Sequence, residues 1–276
     1  MNQKYSITLS SFKDIEPLEV TLERMTMLRF DAVDMYGEPD SVDVSSILDL
    51  FHSYNIPIIG ITGMWGYASK ESSRRKLITL NKSIFLQTQD YIRKCISLCE
   101  KLDGKLFNVC LFSDDSLVQI DKNHARLSES LKRELMSTIV NPLREISLFA
   151  KDRGIDLLIE PLNRYSTPVC TTSTDAIYLV KSIAQENVGL LLDTFHMNIE
   201  EDSIEYSIKK SKGLLKHIHL ADNNRKMPGF AHISFREIIN ALRELEFDGF
   251  MSFEPFVPDD HYENDIRSSI ELIRSL

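Results

Sequence analysis

Four short apolar runs in the second half of the chain each end in a carboxylate or an imidazole. Residues 190–192 are all leucine and precede Asp193, and similar runs end in Glu160, His219 and Glu254. A run without polar residues is typical of a strand that is buried on both faces of a parallel sheet. The four polar residues are 33, 26 and 35 positions apart, about the length of one strand, helix and loop unit. The sequence therefore predicts successive parallel strands that bring these side chains to one edge of the sheet.

Asp193 alone also fits a simpler structural role. An aspartate at the end of a strand can be the N-cap of the next helix, and a single acid more often caps a helix or forms a surface salt bridge than binds a ligand. The same polar position recurs at the ends of four successive strands, however, which favours one shared site.

Eight strand-like runs alternate with helical patterns along the chain. The predicted strands lie at about residues 5–10, 30–35, 56–61, 106–112, 155–160, 190–193, 215–219 and 250–254. The longest helical pattern covers about residues 125–150, where Pro142 predicts a kink and Gly154 ends the helix. Ser234 and Glu237 have the spacing of a capping box at the start of another helix. Strict alternation of eight strands and eight helices predicts an α/β fold, a (β/α)8 TIM barrel that occupies residues 1–276 as one domain.

Composition limits the class of protein. The 276 residues are 43% hydrophobic and carry a formal net charge of −9, which argues against a nucleic acid as the partner. No apolar run approaches the roughly 18 residues that span a bilayer, and residues 1–4 lack the apolar core of a signal peptide, so we expect no membrane partner. The four cysteines have no paired metal-binding spacing. We therefore expect a soluble enzyme in a reducing cytoplasm.

The predicted barrel directs the four polar side chains towards a common point. Alternation along a strand places His217 on the same inward face as His219. Carboxylates with one imidazole suit a divalent ion such as Mn²⁺, Mg²⁺ or Co²⁺. Because strands five and eight lie apart in the barrel, we expect Glu160 and Glu254 to reach the ion from opposed sides. That arrangement suits removal of a proton from one face of a carbon and return of a proton to the other face.

Four motifs carry a resemblance to a known family. They are Ile159-Glu160-Pro161-Leu162-Asn163-Arg164-Tyr165, Leu192-Asp193-Thr194-Phe195-His196-Met197-Asn198, His217-Ile218-His219-Leu220-Ala221-Asp222-Asn223-Asn224-Arg225 with Pro228-Gly229, and Phe253-Glu254-Pro255-Phe256. These motifs resemble the D-tagatose 3-epimerase and D-psicose 3-epimerase family, which belongs to the xylose-isomerase-like TIM barrels. The match is specific over about residues 154–256 and only general before them.

The resemblance implies roles for individual residues. It implies one divalent metal ion, Mn²⁺ first and Co²⁺ or Mg²⁺ as alternatives, with four ligands, namely Glu160, Asp193, His219 and Glu254. The two glutamates would also form the catalytic acid/base pair. His196 and Arg225 would bind the sugar near its carbonyl end. The implied reaction is C3 epimerisation of a ketose by proton transfer through a metal-stabilised enediolate.

Two further positions bear on the substrate pocket. The family has a substrate-contacting glutamate six residues after the first metal glutamate, where this chain has Ser166. A hydroxyl can hydrogen-bond a sugar but lacks the charge and reach of a carboxylate, so the identity of the ketose is open. The only tryptophan, Trp65, lies in the long segment after strand three, where it either forms a wall of the substrate pocket or packs the loop onto the barrel. Nearby, Arg74 and Arg75 could meet a phosphate, although an exposed charged pair is the commoner role.

Other functions could use the same kind of site. A metal-dependent aldose–ketose isomerase or an inosose dehydratase could use the same ion and a similar enediolate. A third alternative is a sugar-binding barrel without turnover, against which two opposed glutamates argue. A barrel endonuclease would need further histidines at the ends of strands two to four, and the sequence has none there. We expect a small-molecule sugar as the substrate and a homo-oligomer, either a dimer or a tetramer.

Overall fold

A closed barrel of parallel strands forms the centre of the protein. The computed structural model describes residues 3–13, 15–64, 75–114, 127–257 and 262–276. Within these residues, each strand pairs in parallel with the next along the chain, and the last pairs with the first. The strands are β1 (Lys4–Thr8), β2 (Ala32–Tyr36), β3 (Ile58–Thr62), β4 (Leu106–Cys110), β5 (Asp156–Glu160), β6 (Val188–Asp193), β7 (Leu215–Leu220) and β8 (Phe250–Phe253). The predicted (β/α)8 TIM barrel is confirmed.

Helices connect the strands around the outside of the barrel. In chain order they are α1 (Leu18–Met27), α2 (Val44–Tyr54), α3 (Lys82–Lys101), α4 (Glu129–Ser137), α5 (Val140–Lys151), α6 (Ser173–Ile183), α7 (Thr194–Glu200), α8 (Ile204–Lys210), α9 (Phe235–Glu244) and α10 (Tyr262–Ser275). A 3₁₀ turn, Leu9–Ser11, follows β1. Two connections hold two helices each, so the described residues depart from the predicted strict alternation. None of the described helices is long and apolar enough to cross a membrane.

The single helix predicted over residues 125–150 is wrong, because α4 and α5 are separate helices. The break lies at residues 138–139, and residues 125–126 lie outside the described part of the chain. Pro142 lacks an N–H, and its ring would collide with the carbonyl group four residues earlier, which belongs to Thr138. The chain therefore breaks one turn before the proline instead of bending at it. Gly154 follows α5 with a φ of +66°, as predicted for the end of this helix.

The capping box predicted at Ser234 is also wrong. Helix α9 does begin there, but the Ser234 side chain makes no capping hydrogen bond, and the N–H of Glu237 donates to the Ser234 backbone carbonyl at 3.1 Å. A true capping box starts α6, where Thr172 and Asp175 exchange side-chain and backbone hydrogen bonds. Asp175 also lies 3.0 Å from the buried Nζ of Lys132, so this cap joins α6 to α4.

A layer of buried polar residues lies inside the barrel, one to three residues before the ends of its strands. Oδ2 of Asp34 on β2 accepts hydrogen bonds from the hydroxyls of Ser6 on β1, at 3.1 Å, and Ser252 on β8. Oδ1 of Asp34 lies 3.2 Å from Nε2 of His217 on β7, which faces inward as predicted. Burial alone would raise the pKa of Asp34, but the neighbouring His217 and the hydrogen bonds hold it below its usual value. The ionised carboxylate thus links β2 to three other strands, β1, β7 and β8.

We predict that Gly60 on β3 tolerates no side chain. It pairs with Leu106 of β4, and a Cβ on Gly60 would lie 2.3 Å from the Leu106 carbonyl oxygen. Because that oxygen belongs to the barrel backbone, Gly60→Ala should lower the free energy of unfolding by about 3 kcal/mol. Gly154→Ala is the control, since Gly154 has open space and its positive φ should cost about 1 kcal/mol. Urea denaturation of both variants measures the difference, and equal losses would contradict the packing argument.

Candidate active site

The four side chains predicted as metal ligands lie together at the carboxyl ends of their strands. Glu160 ends β5, Asp193 ends β6, His219 is the last residue but one of β7, and Glu254 follows β8. One ligand atom from each residue lies within 4.8 Å of the others. The first three are buried, and the side chain of Glu254 is 12% exposed. Neighbouring parallel strands thus carry four potential ligand atoms to one point, the face where barrel active sites form.

Glu160 is held by residues of the adjacent strand β4. Its Oε2 accepts a hydrogen bond from Nδ2 of Asn108 at 2.6 Å and from Sγ of Cys110 at 3.2 Å. Its Oε1 lies 3.8 Å from Nδ1 of His219. Burial raises the pKa of Glu160, and the negative charges of Glu254 and Asp193 raise it further against the opposing effect of His219. One oxygen is therefore fixed by β4, while the other points towards the cluster.

Asp193 performs both roles that the sequence left open. Its Oδ1 accepts a hydrogen bond from the N–H of Phe195 at 2.8 Å, which caps α7. Its Oδ2 accepts one from Nη1 of Arg225 at 2.5 Å. One of its two carboxylate oxygens belongs to the cluster of potential ligand atoms. Thr194 then exchanges hydrogen bonds with the backbone of Ala221 just after β7, which fixes the start of the helix beside the next strand.

His219 has the environment of a ligand rather than of a satisfied core histidine. It is fully buried, and neither of its ring nitrogens makes an aligned hydrogen bond with a described residue, although Nδ1 is in ion-pair contact with a carboxylate. Its Nδ1 lies 2.9 Å from Oε2 of Glu254, which also accepts a hydrogen bond from Nη2 of Arg225. Buried polar atoms normally make aligned hydrogen bonds, so a buried imidazole that makes none and lies beside three carboxylates fits a bound cation. Burial alone would raise the pKa of Glu254, but His219 and Arg225 hold it well below its usual range.

A cavity of about 410 Å³ opens beside this cluster, and it contains three of the predicted substrate-binding residues. Ser166, His196 and Arg225 line it together with Glu254. Nε2 of His196 lies 3.8 Å from Oδ2 of Asp193. Burial and the positive charge of Arg225 lower the pKa of His196 to about 4, against the opposing effect of Asp193. The fourth predicted residue, Trp65, lies outside the described residues.

The loop that carries Arg225 is organised by a residue that sequence reasoning missed. Asp222, fully buried after β7, accepts hydrogen bonds from four backbone N–H groups, those of Asn223, Gly229, Ala231 and Ile233. Arg225 has a φ of +60°, and its guanidinium carbon lies 4.9 Å from the centroid of the Phe195 ring. An aspartate followed by asparagines after a strand is a turn signal, and that signal could have indicated the role of Asp222.

A second group that sequence reasoning missed is an ion pair in the cavity wall. Arg75 is buried, not exposed as the commoner interpretation assumed, and its Nη2 lies 3.2 Å from Oε2 of Glu38. Its guanidinium carbon also lies 3.9 Å from the centroid of the Tyr91 ring. Glu38 lines the cavity, so Arg75 neutralises one of the acidic side chains that face it. Arg74 lies outside the described residues.

Comparison with known proteins identifies the family. The family described as the xylose isomerase-like TIM barrel matches residues 24–276, which is most of the chain. The chain belongs to this family. Its likeness to a solved xylose isomerase-like barrel, D-psicose 3-epimerase with D-tagatose from Clostridium cellulolyticum H10, has a TM-score of 0.83 at 24% identity and covers 99% of both chains. At that identity the likeness shows the fold.

Two relatives in the xylose isomerase-like family are named D-psicose 3-epimerase. The protein from Ruminiclostridium cellulolyticum is 29% identical over 243 residues, which cover 86% of this chain and 77% of that protein. The protein from Agrobacterium fabrum is 42% identical over 118 residues, which cover 43% of this chain and 41% of that protein. The aligned segment is thus less than half of the Agrobacterium protein. Epimerases belong to the isomerase class, and the predicted resemblance is confirmed.

We predict that metal binding at this site releases a proton. Burial disfavours the charged form of His219, but the carboxylates of Glu254 and Glu160 outweigh it and raise its pKa to about 10 in the metal-free protein. A ligating imidazole must be neutral, so at about pH 8 each ion should displace roughly one proton, and affinity should rise with pH towards 10. Calorimetric titration in buffers of different ionisation enthalpy measures this release. Binding heats that are independent of the buffer would contradict it.

Proposed function

We propose that the protein is a divalent-metal-dependent ketose 3-epimerase. The observation that carries the proposal is the convergence of Glu160 and Glu254, from two strands that are not neighbours in the barrel, on one cluster beside a cavity. Two proteins named D-psicose 3-epimerase are similar to this chain, which supports a ketose as the substrate class. The proposal that Mn²⁺ is the ion rests on the resemblance, and the cytoplasmic location and the oligomeric state stay predictions from the sequence.

The residues of the cluster fit a divalent ion. Three carboxylates and an imidazole are ligands that Mn²⁺, Mg²⁺ or Co²⁺ accepts, and the nitrogens of His219 make no aligned hydrogen bond with a described residue. Glu160, Asp193, His219 and Glu254 would hold it. A bound ion would supply positive charge that stabilises the negative charge on the sugar oxygens when the C3 proton leaves.

The two glutamates are the proposed proton-transfer groups. Glu160 ends β5 and Glu254 follows β8, so they reach the cluster from strands that are not neighbours, and Glu254 lines the cavity beside it. One removes the C3 proton, and the other returns a proton to the opposite face, with the direction of the reaction deciding which acts first. Asn108 keeps one oxygen of Glu160 in place, and Arg225 does the same for Glu254. His196 and Arg225 are proposed to bind sugar oxygens.

The sugar carbon whose proton is exchanged distinguishes a 3-epimerase from the alternative functions. An aldose–ketose isomerase would move a proton between C1 and C2 of the sugar, whereas a 3-epimerase exchanges the proton on C3. A barrel that only binds sugar would do neither. Two oppositely placed carboxylates exceed what binding needs, which favours an enzyme over a binding module.

We predict that the Mn²⁺-loaded protein, given D-psicose in D₂O, forms the C3 epimer with deuterium at C3. Glu160→Gln and Glu254→Gln should each lower the epimerisation rate by about 100-fold or more, because the amide keeps an oxygen for the ion but cannot accept the proton. Metal content should stay near one ion per chain in both variants. Product analysis by NMR and metal analysis give the two readouts.

The control is Glu186→Gln, at an exposed carboxylate that pairs with Lys151 outside the site, and its rate should equal that of the wild type. Deuterium at C1 would favour the aldose–ketose isomerase. If the metal-loaded protein turns over no ketose, the sugar-binding barrel without turnover remains as the alternative function.

A further inference from the structure

One cationic side chain in the cavity wall has no acidic partner within the part of the chain that the structure describes. The charged side chains that line the cavity within the described residues are Lys13, Glu38, Arg225 and Glu254. Glu38 pairs with Arg75, and Glu254 pairs with Arg225. Lys13 forms no ion pair with a described carboxylate, and its Nζ lies 4.5 Å from the centroid of the Tyr36 ring, which also lines the cavity. Among the described residues, Lys13 is therefore the one charged side chain of the wall without an ion-pair partner.

Three serine hydroxyl groups, which carry no charge, also line the cavity. Ser10 and Ser11, from the 3₁₀ turn, line the same cavity. Ser166 also lines it, at the position where the resemblance implies a glutamate. A carboxylate at that position would bring a second unpaired charge, of opposite sign, into the cavity. With serine there, the charge of Lys13 remains available to a ligand.

We propose that the substrate is a keto-sugar with an anionic substituent, a phosphate or a carboxylate, that binds Lys13. This inference rests on the proposed function, because it assumes that the reacting end of the sugar lies at Glu160 and Glu254. Hydrogen bonds between an ammonium group and a phosphate or carboxylate are about twice as strong as neutral ones, and the serine hydroxyls can add further donors. The volume of about 410 Å³ is in the range of small-molecule sites.

The test compares D-psicose, its 6-phosphate and a ketose with a C6 carboxylate as substrates of the Mn²⁺-loaded protein. We expect kcat/KM for one of the anionic sugars to exceed that for D-psicose by at least about 10-fold. Lys13→Met should lower the ratio of anionic to neutral kcat/KM by about 10-fold to 100-fold. Lys4→Met is the matched control, since Lys4 also lies over an aromatic ring, that of Phe250, but at the opposite end of β1.

The outcomes separate the two levels of the inference. Equal kcat/KM for neutral and anionic ketoses, or an equal effect of Lys13→Met on both, would overturn the anionic substrate and leave the epimerase standing. Lys13-dependent binding of the 6-phosphate by calorimetry, without turnover of any ketose, would keep the anion site and overturn the epimerase. A preference for the phosphate over the carboxylate, or the reverse, identifies the substituent.

A second, independent observation fixes the hydrogen positions on His196. Nδ2 of Asn163 lies 2.8 Å from Nδ1 of His196, and both residues are buried. Oδ1 of Asn163 accepts a hydrogen bond from the backbone N–H of Tyr165 at 3.0 Å. Because a backbone N–H can only donate, this contact determines which end of the amide is the oxygen. The amino group of Asn163 therefore donates to Nδ1 of His196.

An accepting Nδ1 leaves only one form of the ring. A protonated imidazole carries hydrogen on both nitrogens and cannot accept, and a neutral ring that accepts at Nδ1 carries its hydrogen on Nε2. We infer that Asn163 is a positioning residue that holds His196 as the neutral Nε2–H tautomer. His196 then offers the cavity a hydrogen-bond donor for a sugar oxygen and not a base. Proton transfer is left to the glutamates.

Nitrogen-15 NMR of the Mg²⁺-loaded protein at neutral pH tests the tautomer without any substrate. The His196 signals, assigned by their loss in His196→Gln, should show hydrogen on Nε2 in the wild type. Asn163→Asp should move it to Nδ1, because a carboxylate can only accept, and should lower the epimerisation rate by about 100-fold. The exposed Asn141→Asp, on α5, is the control.

Hydrogen on Nδ1 or on both nitrogens in the wild type would overturn the inference, whatever the variants do. An Asn163→Asp protein that keeps the wild-type tautomer would do the same. If that variant does not fold, Asn163→Leu removes the donor without adding a charge and should show a mixture of tautomers.

Discussion

The compensation of three buried negative charges is the constraint on which this site depends. Glu160, Asp193 and Glu254 share one end of the barrel, where repulsion between carboxylates is much stronger than in water. Arg225 contacts Asp193 and Glu254, and His219 lies beside Glu160 and Glu254. Two positive groups do not balance three carboxylates, so the cluster keeps net negative charge. A net buried charge costs several kcal/mol, and a cation bound at the cluster would offset that cost.

The sequence predicted the parts of the site that follow from local patterns. Strand length, the period of two along each strand and the spacing of about 30 residues are all readable from neighbouring residues, and they placed Glu160, Asp193 and His219 on adjacent strand ends. Asn108 could not be predicted in the same way, because its partner Glu160 is 52 residues away and only the barrel brings them together. Asp222 was missed because its four backbone partners depend on the shape of one loop. The capping box predicted from the local pattern at Ser234 was wrong. The backbone carbonyl of Ser234, and not its side chain, accepts the hydrogen bond from the N–H of Glu237.

The proposed chemistry and the proposed specificity come from different parts of the chain. The motifs that resemble the epimerases lie within about residues 154–256 and contain the glutamates, Arg225 and the histidine that lines the cavity. Lys13 and Glu38 come from the loops after β1 and β2, and Tyr36 is the last residue of β2, a part of the chain where the resemblance is only general. Loops at the carboxyl ends of barrel strands can vary without disturbing the strands that hold the reactive groups. Ser166 is the point where the two meet, because it directly follows the first of the family motifs and lines the same cavity as Lys13.

Asp193 connects the proposed ion site to the proposed substrate site. One of its oxygens caps α7, and the first turn of that helix carries His196; the other oxygen binds the guanidinium of Arg225. A cap is worth about 1 kcal/mol, which is small beside the cost of leaving a buried guanidinium unpaired. The same carboxylate therefore orients both residues proposed to bind the sugar while it contributes a ligand atom to the cluster. Helix α7 begins directly at the end of β6, without the loop that usually follows a barrel strand, so an insertion there would move His196 away from Arg225 and from the glutamates proposed to transfer the proton.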